Sequence, residues 1–150
     1  MSQGGDGIDL ETSLGYLLKE ASSALRAAME AVLRPLGMTV THYSCLELLA
    51  QRPGLSNSEL ARGAFVTRQS MNVLLQTLER DGYVTRPAEA AVGRVLPTSL
   101  TPFGRRELEK ATVAVRSIEL RMLSGMTEAQ RSAAFSALQS MVTSLRSDGE

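Results

Sequence analysis

The chain holds a single cysteine and a single histidine, and each scarcity removes a class of chemistry. One cysteine cannot close an internal disulfide, which fits a reducing compartment. One histidine, His42, excludes by inventory a multi-histidine metal centre or a Ser-His catalytic arrangement. A phosphate-cradling glycine loop, a CxxC pair and a nucleophile elbow are missing as well. The expectation is a protein with no catalytic residue, no metal and no cofactor. No apolar run is long enough to span a bilayer, and no basic-then-apolar leader opens the chain, so a cytoplasmic protein without a membrane partner is expected. Net charge is zero, which over the whole chain opposes nucleic-acid binding.

The distribution of that charge says something different. Residues 1–55 carry 4 basic and 6 acidic side chains, residues 56–106 carry 7 and 4, and residues 107–150 carry 5 and 6. Positive charge is concentrated in the middle third, where it would attract phosphate. A hydrophobic content of 43% and a charged content of 21% over 150 residues describe one globular domain able to bury its own core.

That middle third contains the stretch around which the rest is organised, Leu55 to Arg86. Ser56 followed by Glu59 has capping-box spacing and opens a short helix that stops near Gly63. Thr67 caps a second helix reaching about Asp81, with Gly82 placed as its terminating glycine. At 100° per residue, Met71, Leu74, Leu75 and Leu78 share one stripe that must pack. The opposite face carries Gln69, Asn72, Val73, Gln76 and Arg80, with Arg68 in the exposed first turn. An ordinary surface helix would place Glu/Lys pairs there. Amides can bond a base edge, arginine grips guanine or phosphate, and valine packs on a thymine methyl. The face suits a major groove. Ser56, Asn57 and Ser58 are the expected phosphate contacts, with Thr67 and Arg68 at the mouth of the groove. Gln69, Asn72, Val73 and Gln76 are the expected base readers, and their amides predict A·T pairs in each half-site.

The flanking elements complete a fold. Residues 1–8 read as a disordered tail. A helix from about Asp9 or Thr12 to Arg34 ends at Pro35 and Gly37. Thr41 can cap the next helix, which stops before Pro53-Gly54. Tyr83 to Arg86 reads as a strand, Pro87 to Gly93 as a turn, and Arg94 to Leu100 as the returning strand, which Pro97 interrupts. This pair is the expected wing. Thr101 caps a long helix with Pro102 at its first position, and a last helix starts at Thr127-Glu128. The fold class is therefore mainly α: a winged helix-turn-helix at 35–102, with long helices at 9–34 and 103–147 forming a dimerisation region, all within one domain of about 10–147. Those long helices either complete a monomeric core or build a two-fold dimer. The dimer is preferred, because it presents two reading helices to successive major grooves.

The order and spacing of several segments resemble the MarR family of bacterial transcriptional regulators from about Leu14 to Leu145. These segments are Leu36-Gly37-Met38-Thr39, Ser58-Glu59-Leu60-Ala61, Val66-Thr67-Arg68-Gln69-Ser70-Met71, Leu78-Glu79-Arg80-Asp81-Gly82-Tyr83-Val84 and Leu100-Thr101-Pro102-Phe103-Gly104. The resemblance implies an obligate homodimer on a palindromic double-stranded DNA operator. It also implies repression of nearby genes, relieved by small phenolic compounds or aromatic acids, and association with the nucleoid when bound. Family wings commonly carry Asp-x-Arg, the arginine entering the minor groove. That arginine is Arg94 here, with Val92 at the aspartate position and Glu89 the only other ionised wing residue. The turn before the reading helix often holds Leu-Gly, and here it is Ala64-Phe65. The resemblance places effectors between the dimer helices and the DNA-binding module, where Arg26 could pair a carboxylate, Met29 shape an apolar wall, and His42 and Tyr43 line the space.

Two alternatives come from other classes. A winged helix that binds protein in place of DNA predicts no salt-dependent DNA affinity. A thiol-based redox sensor through Cys45, or an enzyme using it as nucleophile, predicts a depressed thiol pKa. The apolar neighbours Leu46, Leu48 and Leu49 argue the opposite.

Overall fold

The computed structural model describes residues 6–86 and 97–147. Six helices and one short strand pair follow in the order α1 (Leu14–Leu33), a 3₁₀ turn (Arg34–Leu36), α2 (Val40–Gln51), α3 (Asn57–Gly63), α4 (Arg68–Arg80), β1 (Val84–Thr85), β2 (Ser99–Leu100), α5 (Pro102–Met122) and α6 (Glu128–Ser147). No helix among the described residues is long and apolar enough to cross a membrane. By its contacts the chain divides into two compact units, residues 1–116 and 117–150.

Most helix starts are set by side-chain oxygens that satisfy orphan amides. Ser13 accepts from Tyr16 N, so α1 begins later than the expected Asp9 or Thr12. Residues 9–12 instead form a turn, with Thr12 N donating to Asp9 O. The cap of α2 is Thr39 and not Thr41, because Thr39 Oγ1 accepts from His42 N at 3.1 Å. Helix α3 opens on the full capping box expected at Ser56 and Glu59. Helix α4 ends in a Schellman arrangement: Gly82 N reaches Glu79 O, Tyr83 N reaches Leu78 O, and Gly82 sits at φ 86° where a Cβ would be strained.

The core of the first unit gathers Leu33 and Met38 with Cys45, Leu46 and Leu49 of α2, Leu60 and Ala61 of α3, and Met71, Leu75 and Leu78 of α4. Val84 and Leu100 come from the strands, and Leu108 and Ala111 from α5. The first half of α5 thus serves the helix-turn-helix core. The antiparallel strands pair Val84 with Leu100 and Thr85 with Ser99. Tyr83 and Arg86, expected in the first strand, lie outside this two-residue pairing. The remainder of the expected wing, Pro87 to Leu96, lies outside the described residues. Near the start of α1, Ile8, Leu10, Leu14, Leu17 and Leu18 are exposed apolar side chains.

The second unit holds the end of α5 and α6. Thr127 and Gln130 form a reciprocal cap at the α6 start, and Arg131 donates to Leu123 O at 3.0 Å. Phe135, Leu138, Val142 and Leu145 of α6 are all exposed on this chain.

Candidate nucleic-acid interface

What α4 shows to solvent follows from what it hides. Met71, Leu75 and Leu78 are fully buried, which fixes the rotation of the helix. Cys45 Sγ lies 3.7 Å from Met71 Sδ, keying α4 into α2. The opposite face then presents Arg68, Gln69, Asn72, Val73 and Gln76, all exposed. Val73 keeps 59% of its surface exposed, an apolar side chain with no share in the core. Leu74, expected in the packed stripe, is half-buried at its margin.

The amino-terminal end of this face is held from two sides. Thr67 Oγ1 accepts from Ser70 N at 3.0 Å and lies 2.9 Å from Ser70 Oγ. From α3, Asn57 Nδ2 donates to Asn72 Oδ1 at 2.9 Å. Gly54, Ser56, Asn57, Ser58, Arg68, Asn72 and Pro97 line a crevice of about 380 Å³. The expected phosphate contacts and two of the expected α4 residues are therefore brought together. A more open hollow of about 500 Å³ joins Gln69, Ser70, Val73 and Thr77 to Thr41 of α2. Gln76 lies beyond both, and Arg94 is outside the described residues. The shares of Pro97 and Thr41, and the Asn57–Asn72 bond, escaped the sequence reading because each joins segments distant in the chain.

Charge on this face is left available. Arg80 pairs with Asp81 at 3.5 Å and Arg86 with Glu79 at 3.2 Å, whereas Arg68 makes no ion pair among the described residues. An exposed, unpaired guanidinium beside serine hydroxyls is suited to phosphate.

The turn into α4 is unusual. Val66 N bonds Ala61 O and Phe65 N bonds Arg62 O, a second Schellman arrangement. Its left-handed position, φ 60°, is occupied by Phe65, which is 83% exposed. A ring held in a conformation that favours glycine is backbone strain.

The four expected effector residues lie on two helices, Arg26 and Met29 on α1 and His42 and Tyr43 on α2. Arg26 is exposed and Met29 packs half-buried against the core. The His42 ring stands edge-on to Tyr83 at 4.6 Å. Burial lowers the His42 pKa, with Asp81 pulling the other way, and its buried Nε2 has no hydrogen-bond partner among the described residues. Tyr43 donates its hydroxyl to Glu47 at 2.6 Å. Glu47 also accepts from Gln51 at 2.9 Å and from Thr112 of α5 at 3.0 Å. Burial acts to raise the Glu47 pKa, but these three bonds outweigh it and hold the carboxyl below its ordinary value. Beside this junction a hollow of about 410 Å³ is lined by Glu47, Ala50, Arg105, Leu108, Glu109, Thr112 and Val113. None of the three hollows is lined by Arg26, Met29, His42 or Tyr43.

Cys45 is fully buried, and burial pushes its thiol up to about 12. The thiolate that redox sensing or nucleophilic attack requires is strongly disfavoured there.

Comparison with known proteins agrees with this architecture. The MarR family model matches residues 36–94. The HTH-type transcriptional repressor Rv2887 of Mycobacterium tuberculosis is 44% identical over 125 residues, covering 83% of this chain and 90% of that protein. A crystal structure of Rv2887 in complex with salicylic acid superposes with a TM-score of 0.72 at 42% identity, covering 87% of this chain and 96% of that one. Rv2887 in complex with DNA gives a TM-score of 0.71 at 40% identity, covering 87% and 98%. With a winged helix-turn-helix whose outward α4 face is rich in amides, and with a repressor of this identity and coverage among its relatives, the chain belongs to the MarR family of transcriptional regulators.

Proposed function

We propose that this chain is a cytoplasmic, homodimeric repressor that grips a palindromic operator and lets go when a small aromatic acid binds. The observation that carries the reading is the outward face of α4: three amides, a valine and an unpaired arginine on a helix whose rotation three buried side chains fix. In this reading Gln69, Asn72, Val73 and Gln76 meet base edges, and Thr67 and Arg68 enter at the groove mouth. Ser56 and Ser58 contact phosphate, and Arg94 reaches the minor groove. Exposed apolar side chains at the start of α1 and along α6 supply the two-fold interface. That interface sets two α4 helices about 34 Å apart on one face of the duplex.

The effector reading draws on the relative crystallised with salicylic acid. Arg26, Met29, His42 and Tyr43 are proposed to converge with the second protomer in place.

The test is fluorescence anisotropy on DNA from upstream of the chain's own gene, with scrambled competitor, at two salt concentrations, with and without salicylate. Specific binding that weakens with salt supports the operator reading, and release by salicylate supports the effector. Gln69→Ala should lower specific affinity by about tenfold. Unchanged affinity and base preference in both Gln69→Ala and Asn72→Ala would remove α4 from base recognition.

A further inference from the structure

We propose that Asn57 is a positioning residue for base recognition: it pins the Asn72 carboxamide so that the amide group, and not the oxygen, leads into the groove. The inference rests on the operator reading above and deepens it.

A free asparagine carboxamide has one acceptor end and one donor end and can turn either outward. Asn72 is exposed on α4, so nothing in its own helix selects between them. The selection comes from α3. Asn57 Nδ2 donates to Asn72 Oδ1 at 2.9 Å across the crevice that Arg68, Ser58 and Pro97 also line. Asn57 is itself held: it is half-buried, and the residue before it is locked in the Ser56–Glu59 capping box. With its oxygen held toward α3, Asn72 turns Nδ2 outward.

A donor in the major groove recognises acceptors. Guanine offers N7 and O6, thymine offers O4, and adenine offers N7 beside a donor. Cytosine offers only its N4 donor there. The pinned residue therefore favours guanine or thymine over cytosine at the base it meets. It also loses the paired contact with adenine that an unconstrained asparagine makes. Asn57, read from sequence as a phosphate contact, acts instead through its neighbour.

The decisive variant is Asn57→Asp. A carboxylate only accepts, so it reverses the bond: Asn72 must donate to residue 57 and turn Oδ1 to the DNA. Base preference at that position should then change from guanine or thymine to adenine or cytosine, by about fivefold to tenfold in relative affinity. Asn57→Ala releases the amide and should bring adenine up to the level of guanine.

The measurement is selection from a randomised duplex pool by the full-length protein, its Asn57→Asp, Asn57→Ala and Asn72→Ala variants, followed by competition anisotropy at the position that Asn72→Ala relaxes. The added negative charge of Asn57→Asp lowers affinity for every sequence alike, so the ratio between bases is the readout, which a merely structural role of Asn57 leaves unmoved. If the unmodified protein enriches no motif, the operator reading fails and takes this one with it. If it enriches a motif but Asn57→Asp keeps the same base preference, or Asn72→Ala relaxes no position, the operator reading stands and the pinning is refuted.

Discussion

Among the described glycines, Gly104 is the position where one added methyl group should do the most damage. It lies in the first turn of α5, against the backbone of Tyr83, the residue before β1. A Cβ built there would overlap the Tyr83 carbonyl oxygen and lie 2.9 Å from its carbon and 3.2 Å from its Cα. The obstacle is backbone, so no side chain can turn aside to relieve it. The same carbonyl accepts from Thr101 N at 3.0 Å, and Thr101 Oγ1 donates to Gly82 O at 2.6 Å while accepting from Gly104 N at 2.9 Å. Moving the strand and helix apart strains or breaks these bonds. Overpacking costs about 1–3 kcal/mol, and each bond lost costs about 1 kcal/mol more. Gly104→Ala should therefore destabilise by about 3 kcal/mol, lowering Tm by about 6–12 °C for a chain of this size. The assay is urea unfolding followed by circular dichroism at fixed protein concentration, with Gly15→Ala as the control. Gly15 lies in α1 with only Ser13 Oγ, 3.7 Å away, near the added atom, so alanine there should be neutral or stabilising. If Gly104→Ala unfolds at the same urea concentration as the unmodified protein, the close approach of α5 to the Tyr83 carbonyl is not what requires glycine.

Other outcomes follow from the same structure. Phe65→Gly should raise stability by about 0.5–1 kcal/mol, the left-handed strain relieved less the entropy that glycine loses; a fall in the urea midpoint would mean that the exposed ring makes stabilising contacts. Because burial lowers the folded His42 pKa below 6.5, the unfolded chain binds more protons beneath that pH, and stability should decline from pH 7 toward pH 5.5. His42→Gln should flatten that decline, and an equally steep slope in the variant would assign it to other groups. Cys45 should resist a thiol reagent such as DTNB at pH 8 in the native protein and react fully in denaturant. Fast native reaction would reopen the redox reading.

Local chemistry in this chain was legible before any coordinates. The Ser56–Glu59 box, the Thr67 cap and the Gly82 terminus each involve residues within a few positions of one another, and each stands where sequence spacing puts it. The buried Met71-Leu75-Leu78 stripe followed from helical period alone. Choices between near-equivalent local options were harder: Thr39 and Thr41 both suit a cap, and backbone geometry selected the earlier one. What depends on packing between distant segments was not legible. Nothing in the periodicity of α5 separates Leu108 and Ala111, which enter the helix-turn-helix core, from Met122, which shares their stripe and remains exposed. Asn57 and Asn72 are fifteen residues apart and meet only because α3 folds against α4.

The junction at Glu47 has a consequence for how this sequence can drift. Donors from Tyr43, Gln51 and Thr112 converge on one half-buried carboxylate. Replacing the glutamate strands the three donors, two of them part-buried, while replacing one donor leaves the carboxylate short of a partner. Viable lineages should therefore exchange these four side chains together, with an apolar residue at 47 accompanied by the loss of the hydroxyls at 43 and 112. Helices α2 and α5 are in this sense inherited as a matched pair, although sixty-five residues separate Glu47 from Thr112.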